Sequence, residues 1–457
     1  MGYLTRLQWT TLLAPLLLGE MYFIGSSWLF FHGPINWPPV NKLLLLSFLC
    51  FAFALLGFGF IFGIRAKTRT LFDKSYLSTV IAVGAVANLA LLFPAVYVYT
   101  GSLPWDFFKA LGDQRAAYDQ MQRILAAGGM PFRPIVAVLR AVLGPATVVV
   151  PALSILLWGK MGTGMRCIAV AGLLAMFAFS IFRGTDKEMF DVAILQVAAL
   201  GVVCCRYVAN RKAMPAARVW LAAVVILLMV SLMLNSFVDR KAQRIGFQAE
   251  QRVEQGTKPE VAMAPAYCIS SRICTYPLAA GADLNQVRFN FAFSMVSAYL
   301  AQGYYGLALS FEKPFESMYG FGHSNLLTRA YVAVTKDQTF ANRALTTRLG
   351  DDGWDVRYQW SSAYTWFAND VGVWGSALVV GGLAFLWGLS WKDALFGEND
   401  AAAVVFCLLC WFFVYLPASN EIMQTADGYF ALLSWLGIWL LGRFRHPRLS
   451  SSASVVG

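Results

Sequence analysis

Apolar residues along this chain gather in long runs separated by short polar breaks, with no strand-like alternation. A helix needs about 20 apolar residues to cross the hydrocarbon core of a bilayer. Runs of that kind lie near 9–31, 41–64, 76–100, 134–158, 165–183, 188–206, 215–236, 371–390, 401–418 and 429–444. The pattern predicts an all-α polytopic membrane protein with about ten spanning helices. The first run is too long for the apolar core of a cleavable signal and lacks a small-residue cleavage site, so it reads as the first spanning helix. One further stretch, near 289–311 (FNFAFSMVSAYLAQGYYGLALSF), is long enough to cross but richer in Ser, Gln, Gly and Tyr.

A single large polar interval, from Asn235 to Asp370, interrupts the apolar runs. It divides the chain into an N-terminal bundle of seven helices (1–236), an insert (237–370), and a C-terminal pair of regions (371–457) holding the last helices and a polar tail. Sidedness follows from the basic loops. Arg65, Lys67 and Arg69, then Lys160 and Arg166, then Arg206, Arg211, Lys212 and Arg218 alternate with less basic connections and belong in the cytoplasm. The insert then lies outside. If 289–311 also crossed, the tail with Arg443, Arg445 and Arg448 would end up outside, against the same rule. The stretch is therefore expected as a re-entrant or surface-lying element of the insert, with an eleven-helix arrangement as the competitor. A second external element is expected near 104–126. There Phe107, Phe108, Leu111, Tyr118, Met121 and Leu125 share one face of an amphipathic helix, which reads as lying on the membrane surface.

Composition agrees with burial in lipid. Of 457 residues 58% are hydrophobic and only 13% charged, about half the charged fraction of a soluble domain. The net charge of +11 sits largely in short loops, where it reads as topology and anionic-lipid contact rather than a nucleic-acid groove. Six cysteines (Cys50, Cys167, Cys204, Cys205, Cys407, Cys410) lie in apolar stretches and read as small buried hydrophobes. Cys268 and Cys274, in the insert as YCISSRICTY, lack further ligands for a metal and read as a local disulfide in an oxidising compartment.

Candidate chemistry is sparse. The chain has no nucleotide-binding loop, no dinucleotide fingerprint, no HExxH and no closely spaced acidic pair, so neither a cofactor nor a catalytic metal is expected. Of three histidines, His323 stands in a Gly-rich stretch of the insert (YGFGHSNLLTR), either holding that turn or accepting a proton at a site. Arg183 and Lys187 flank the tight turn between the fifth and sixth helices (SIFRGTDKEMFDVAI). At headgroup depth they suit a phosphate or diphosphate; the alternative is an ion-pair cluster with Asp186, Glu188 and Asp191. Within the insert Arg288, Arg329, Arg343, Arg348 and Arg357 alternate with Tyr299, Tyr304, Tyr305, Trp354, Trp360 and other aromatics. Arginines that clamp phosphate and rings that pack on sugar faces suit a lipid-linked saccharide.

Three stretches, RGTDKEMFD at the helix-five/six turn, YLAQGYYGLALSFEKPFESMYGFGHS in the insert and WFANDVGVWGSAL entering the next helix, together with the order of helices and insert, resemble the bacterial O-antigen polymerases of the Wzy type and, more distantly, the O-antigen ligases. One departure is that Arg343 and Gly353 are separated by nine residues, where the family's arginine–glycine pattern has ten. The resemblance implies a metal-independent glycosyltransferase of the GT-C class in the bacterial inner membrane. It would join undecaprenyl-diphosphate-linked repeat units on the periplasmic face, alongside membrane lipids, a chain-length-determining co-polymerase and a flippase. On that reading Arg183, Lys187, Arg288, Arg329, Arg343 and Arg357 bind the donor with Tyr304 and Trp360. His323 is the candidate base, with Glu316 and Asp370 as alternatives. A ligase using the same donor, or a transporter, remain the rival readings.

Overall fold

The computed structural model describes residues 5–68, 75–128, 130–210, scattered positions from 220 to 231, 268–270, 273–275, 284–356, 359–397 and 399–445. The expected helix at 215–236 lies almost wholly outside these residues, as do 237–267 of the insert and the tail past Arg445. Among the described residues the protein is a multi-pass, almost entirely helical membrane protein. Seven helical stretches are long and apolar enough to cross a bilayer: Arg6–His32, Lys42–Arg65, Tyr76–Thr100, Arg133–Leu156, Thr163–Phe182, Lys187–Ala209 and Ala363–Phe396.

The first three are α1 (Arg6–His32), α2 (Lys42–Arg65) and α3 (Ser75–Thr100). Their starts are specified locally. Thr5 and Gln8 form a capping box at α1, and Asn41 caps α2 through Leu44 N at 3.0 Å, each cap contributing about 1 kcal/mol. Leu17, Met21 and Ile24 on α1 are more than half exposed, as a lipid-facing stripe requires. The expected single amphipathic helix near 104–126 is two. α4 (Phe107–Gly112) ends at Asp113, whose carboxylate accepts from Ala116 N at 2.8 Å and starts α5 (Gln114–Ala126). Ala110 of α4 and Met121 of α5 face inward, whereas Trp105, Phe108 and Leu111 stay exposed. The fourth run is likewise divided, into α6 (Arg133–Thr147) and α7 (Val150–Leu156). α8 (Thr163–Phe182) and α9 (Lys187–Ala209) follow, joined by the turn at Gly184.

Within the insert, β1 (Cys268–Ser270) and β2 (Ile273–Cys274) pair antiparallel, and Cys268 and Cys274 are disulfide-bonded. The hairpin bonds to the α1–α2 connection, Asn36 N donating to Cys274 O at 3.0 Å. The stretch near 289–311 is one continuous helix, α10 (Leu284–Ser310). Its second half does not lie on the surface: Ala301, Tyr304, Leu307 and Ala308 are buried in the principal core with residues of α1 and α2. Its Ser, Gln and Gly serve protein packing. After α11 (Asn325–Thr335) and the short α12 (Leu345–Arg348), α13 (Ala363–Phe396) begins eight residues before the expected helix and carries a non-helical break at Gly372 (φ 76°, ψ 165°). α14 (Asp400–Tyr415), the short α15 (Glu421–Gln424) and α16 (Ala426–Arg445) complete the chain.

Lipid tails compete with side chains for apolar contact, so close backbone approach, rather than water exclusion, drives helix association here. The α2–α13 seam illustrates it. A Cβ at Gly59 would sit 2.2 Å from Gly381 O, one at Gly63 2.2 Å from Phe385 O, and one at Gly388 2.3 Å from Phe60 O. At one end of the bundle Arg206 holds Asp400 at 2.6 Å and Ala394 O at 2.7 Å, Lys160 approaches Asp400, and Arg443 pairs with Asp393 and donates to Lys67 O. The basic loops that the charge rule groups on one side thus meet at one end.

Candidate functional site

At the opposite end the α8–α9 turn fixes Arg183. Gly184 adopts φ 59°, and a Cβ there would lie 2.1 Å from Gln114 O. Only glycine lets the turn nest against α5. Arg183 packs on Phe179, reaches Met121 Sδ with its Nε at 3.4 Å, and pairs with Glu188; the third guanidinium nitrogen makes no hydrogen bond among the described residues. Thr185 Oγ1 donates to the other Glu188 oxygen at 3.0 Å. One turn on, Lys187 Nζ lies 2.8 Å from Asp191 and 3.1 Å from Glu421, and Trp411 Nε1 donates to Asp191 at 2.8 Å. Arg140 of α6 pairs with Asp427 at 2.6 Å.

The ion-pair alternative to a bare phosphate site is therefore what the geometry displays. Arg140, Arg183 and Lys187 face Glu188, Asp191, Glu421 and Asp427, so an incoming anion meets cations that are oriented but already engaged. Beside them a pocket of about 80 Å³ opens between α3, α6 and α8. Leu91, Leu92, Ala175 and Met176 form its apolar wall, and Arg140, Glu188, Asp427 and Asn88 its polar one.

His323 is held at every polar atom. Its backbone N donates to Asp370 Oδ2 at 2.9 Å, and its carbonyl accepts from Asn420 and Gln424, each at 3.0 Å. Nδ1 lies 3.0 Å from Asp370 Oδ2, and Nε2 lies 3.1 Å from Tyr429 Oη. Asp370 Oδ1 also accepts from Gly320 and Gly322 N. A carboxylate that accepts from all these donors places a proton on Nδ1, which leaves Nε2 as the ring nitrogen facing Tyr429. The ring stacks on Phe367 at 5.9 Å. Asp370 is thus an orienting partner saturated with donors, not a free base.

One segment joins the two clusters. Between Leu416 and Tyr429 the connection from α14 to α16, with α15 and the first turn of α16, contributes Glu421 to Lys187, Asp427 to Arg140, Asn420 and Gln424 to the His323 carbonyl, and Tyr429 to the His323 ring. The apolar runs near 401–418 and 429–444 leave this stretch between them without marking it as a site. Its signal was there in SNEIMQTADGY, a dense polar run with two carboxylates and no basic residue between two apolar helices.

Other expected site residues fall elsewhere. Tyr304 is buried in the core and hydrogen-bonds Ser26 Oγ at 2.9 Å, so it lines no open surface. Glu316 is exposed and pairs with Arg348 at 3.1 Å, and among the described residues no hydrogen bond or ion pair joins it to His323. Arg329 is exposed on α11, and Arg343 lies over Phe340 at 5.6 Å. Among the described residues no ion pair or hydrogen bond joins either to the Arg183–Lys187 cluster. Trp360 packs edge-on against Tyr299 at 4.9 Å. Arg288 lies on α10 with its side chain outside the described residues, and Arg357 lies outside them altogether. Among the described residues no three His, Cys, Asp or Glu side chains cluster as a metal ion would need. Comparison with known protein families, with curated proteins and with solved structures finds no match.

Proposed function

We propose that this chain is an integral-membrane glycosyltransferase of the GT-C class that polymerises undecaprenyl-diphosphate-linked repeat units on the periplasmic face of the bacterial inner membrane. In this reading ten helices cross, both ends are cytoplasmic, and the insert is periplasmic. The observation that carries it is the convergence of an oriented imidazole and a cation-bearing helix turn on one segment, 416–429. Polymerisation needs both: a base for the acceptor hydroxyl and positive charge for the departing diphosphate. The donor brings its own leaving group, so no nucleotide site is called for.

Arg183 is the cation best suited to the exchange. Its Glu188 partner keeps a second donor in Thr185, and one guanidinium nitrogen is unengaged among the described residues. The donor's diphosphate would draw Arg183 from Glu188. His323 Nε2 takes the acceptor proton, with Asp370 stabilising the imidazolium that forms. The insert's arginines and Trp360 bind saccharide further from the reacting atoms, and a flippase and a chain-length-determining co-polymerase act before and beside it. A ligase would use the same donor and the same residues. Gly372, which breaks α13 beside Asp370, favours a second reading, since discontinuous helices line transporter sites. In cells, Arg183→Ala should abolish long-chain glycan with protein level and membrane insertion unchanged. Glycan of normal length in that variant removes the diphosphate role. Accumulation of single repeat units on lipid A core separates polymerase from ligase, and loss of export without loss of linkage formation points to a transporter.

A further inference from the structure

Glu20 takes no part in the site above. It is the one acidic residue of α1, near the middle of a helix of 27 residues that is long and apolar enough to span. Carboxyls at that depth are rare and demand compensation, yet Glu20 has neither a hydrogen-bond nor an ion-pair partner among the described residues. Its carboxyl points at α2: a Cβ added to Gly57 would lie 3.6 Å from Oε1. The missing side chain at Gly57 leaves the space that the carboxyl fills. On the outer side, Leu17 and Met21 of α1 and Phe58 of α2 are strongly exposed, so the crevice opens toward lipid rather than toward water.

The polar group shown to act on it is a hydroxyl. Tyr364 of α13 lies within electrostatic reach, with its Oη buried and without a hydrogen-bond partner. No lysine, arginine or histidine among the described residues acts on Glu20. An anion here would lack both water and a counter-charge, whereas the uncharged acid fits the crevice as it stands.

We propose that Glu20 is a proton-binding carboxyl presented to the bilayer through the α1–α2 crevice, and that it is the residue a lipid-soluble carbodiimide modifies. In that reaction the acid O–H adds across one C=N bond, the oxygen to carbon and the proton to nitrogen, giving an O-acylisourea. Migration of the acyl group to nitrogen then leaves a stable N-acylurea, with nothing expelled. The test is dicyclohexylcarbodiimide treatment of the full-length protein in nanodiscs, with peptide mass spectrometry, beside a water-soluble carbodiimide. The expected result is an adduct on Glu20 with the lipid-soluble reagent alone, while the water-soluble one takes exposed carboxyls such as Glu316 and Asp351. Glu20→Gln should lose the adduct and keep its thermal midpoint, because the amide replaces an uncharged acid of the same shape. An unmodified Glu20 in folded protein, equal yields from both reagents, or unfolding of Glu20→Gln would each overturn the proposal.

Discussion

At the scale of single residues, the orientation of His323 depends on Asp370 and Tyr429. Asp370 accepts from the backbone at Gly320, Gly322 and His323 and from the ring Nδ1, so it builds the turn and orients the ring together. Asp370→Asn keeps the shape but puts two amide donors among donors. The expected loss of stability is about 1–3 kcal/mol, read as a lower thermal midpoint in detergent, with glycan chain length collapsing as well. Tyr429→Phe removes only the partner of Nε2, and should cost about 0.5–1.5 kcal/mol while leaving the turn intact. Equal effects of the two changes would contradict the division of roles.

These partners were only half legible in the sequence. His323 stands out as one of three histidines, and Arg183 and Lys187 by flanking a tight turn between two apolar helices. Glu421, Asp427 and Tyr429 do not, since each gains meaning from a residue about a hundred or more positions away. Tyr304 shows the opposite failure. Its neighbourhood reads as polar and aromatic, but polarity reports on contact with lipid, and a helix enclosed by other helices is free of that constraint. Hydroxyls such as those of Tyr304 and Ser26 satisfy each other in the interior.

At the scale of elements, uninterrupted apolar runs locate helices well. The run near 41–64 is α2 (Lys42–Arg65), and that near 188–206 lies within α9 (Lys187–Ala209). Breaks are less visible. Asp113 divides the amphipathic stretch near 104–126 by capping its second part, and Gly372 interrupts α13 without any proline to announce it. The glycine seam between α2 and α13 is the element-scale feature with the sharpest consequence. Gly63→Val would drive a side chain into the Phe385 carbonyl, already 2.2 Å from where a Cβ would lie. Small-residue contacts of this kind have no slack. Folded protein recovered from membranes should fall steeply for Gly63→Val, whereas Gly201→Ala, with nothing within 4 Å of the added carbon, should match the parent in the same assay.

At the scale of the whole molecule, charge and packing sort the chain into two ends. One end gathers Lys67, Lys160, Arg206 and Arg443 around Asp393 and Asp400. The other gathers the α8–α9 turn with Arg183 and Lys187, the 416–429 connection and the His323 turn of the insert. The division between bundle and insert is less strict than composition implies, because α10 runs from the insert into the bundle core and the hairpin of Cys268 and Cys274 is bonded to the α1–α2 connection. An insert so anchored can hold an imidazole in register with a helix turn. The most direct measurement is therefore turnover by the purified protein in nanodiscs, supplied with undecaprenyl-diphosphate-linked repeat units as the only substrate. The parent protein should yield a ladder of polymer with release of undecaprenyl diphosphate, and His323→Gln should bind the donor but form no ladder. Donor bound and left unchanged by the parent, or an undiminished ladder from His323→Gln, would contradict the account.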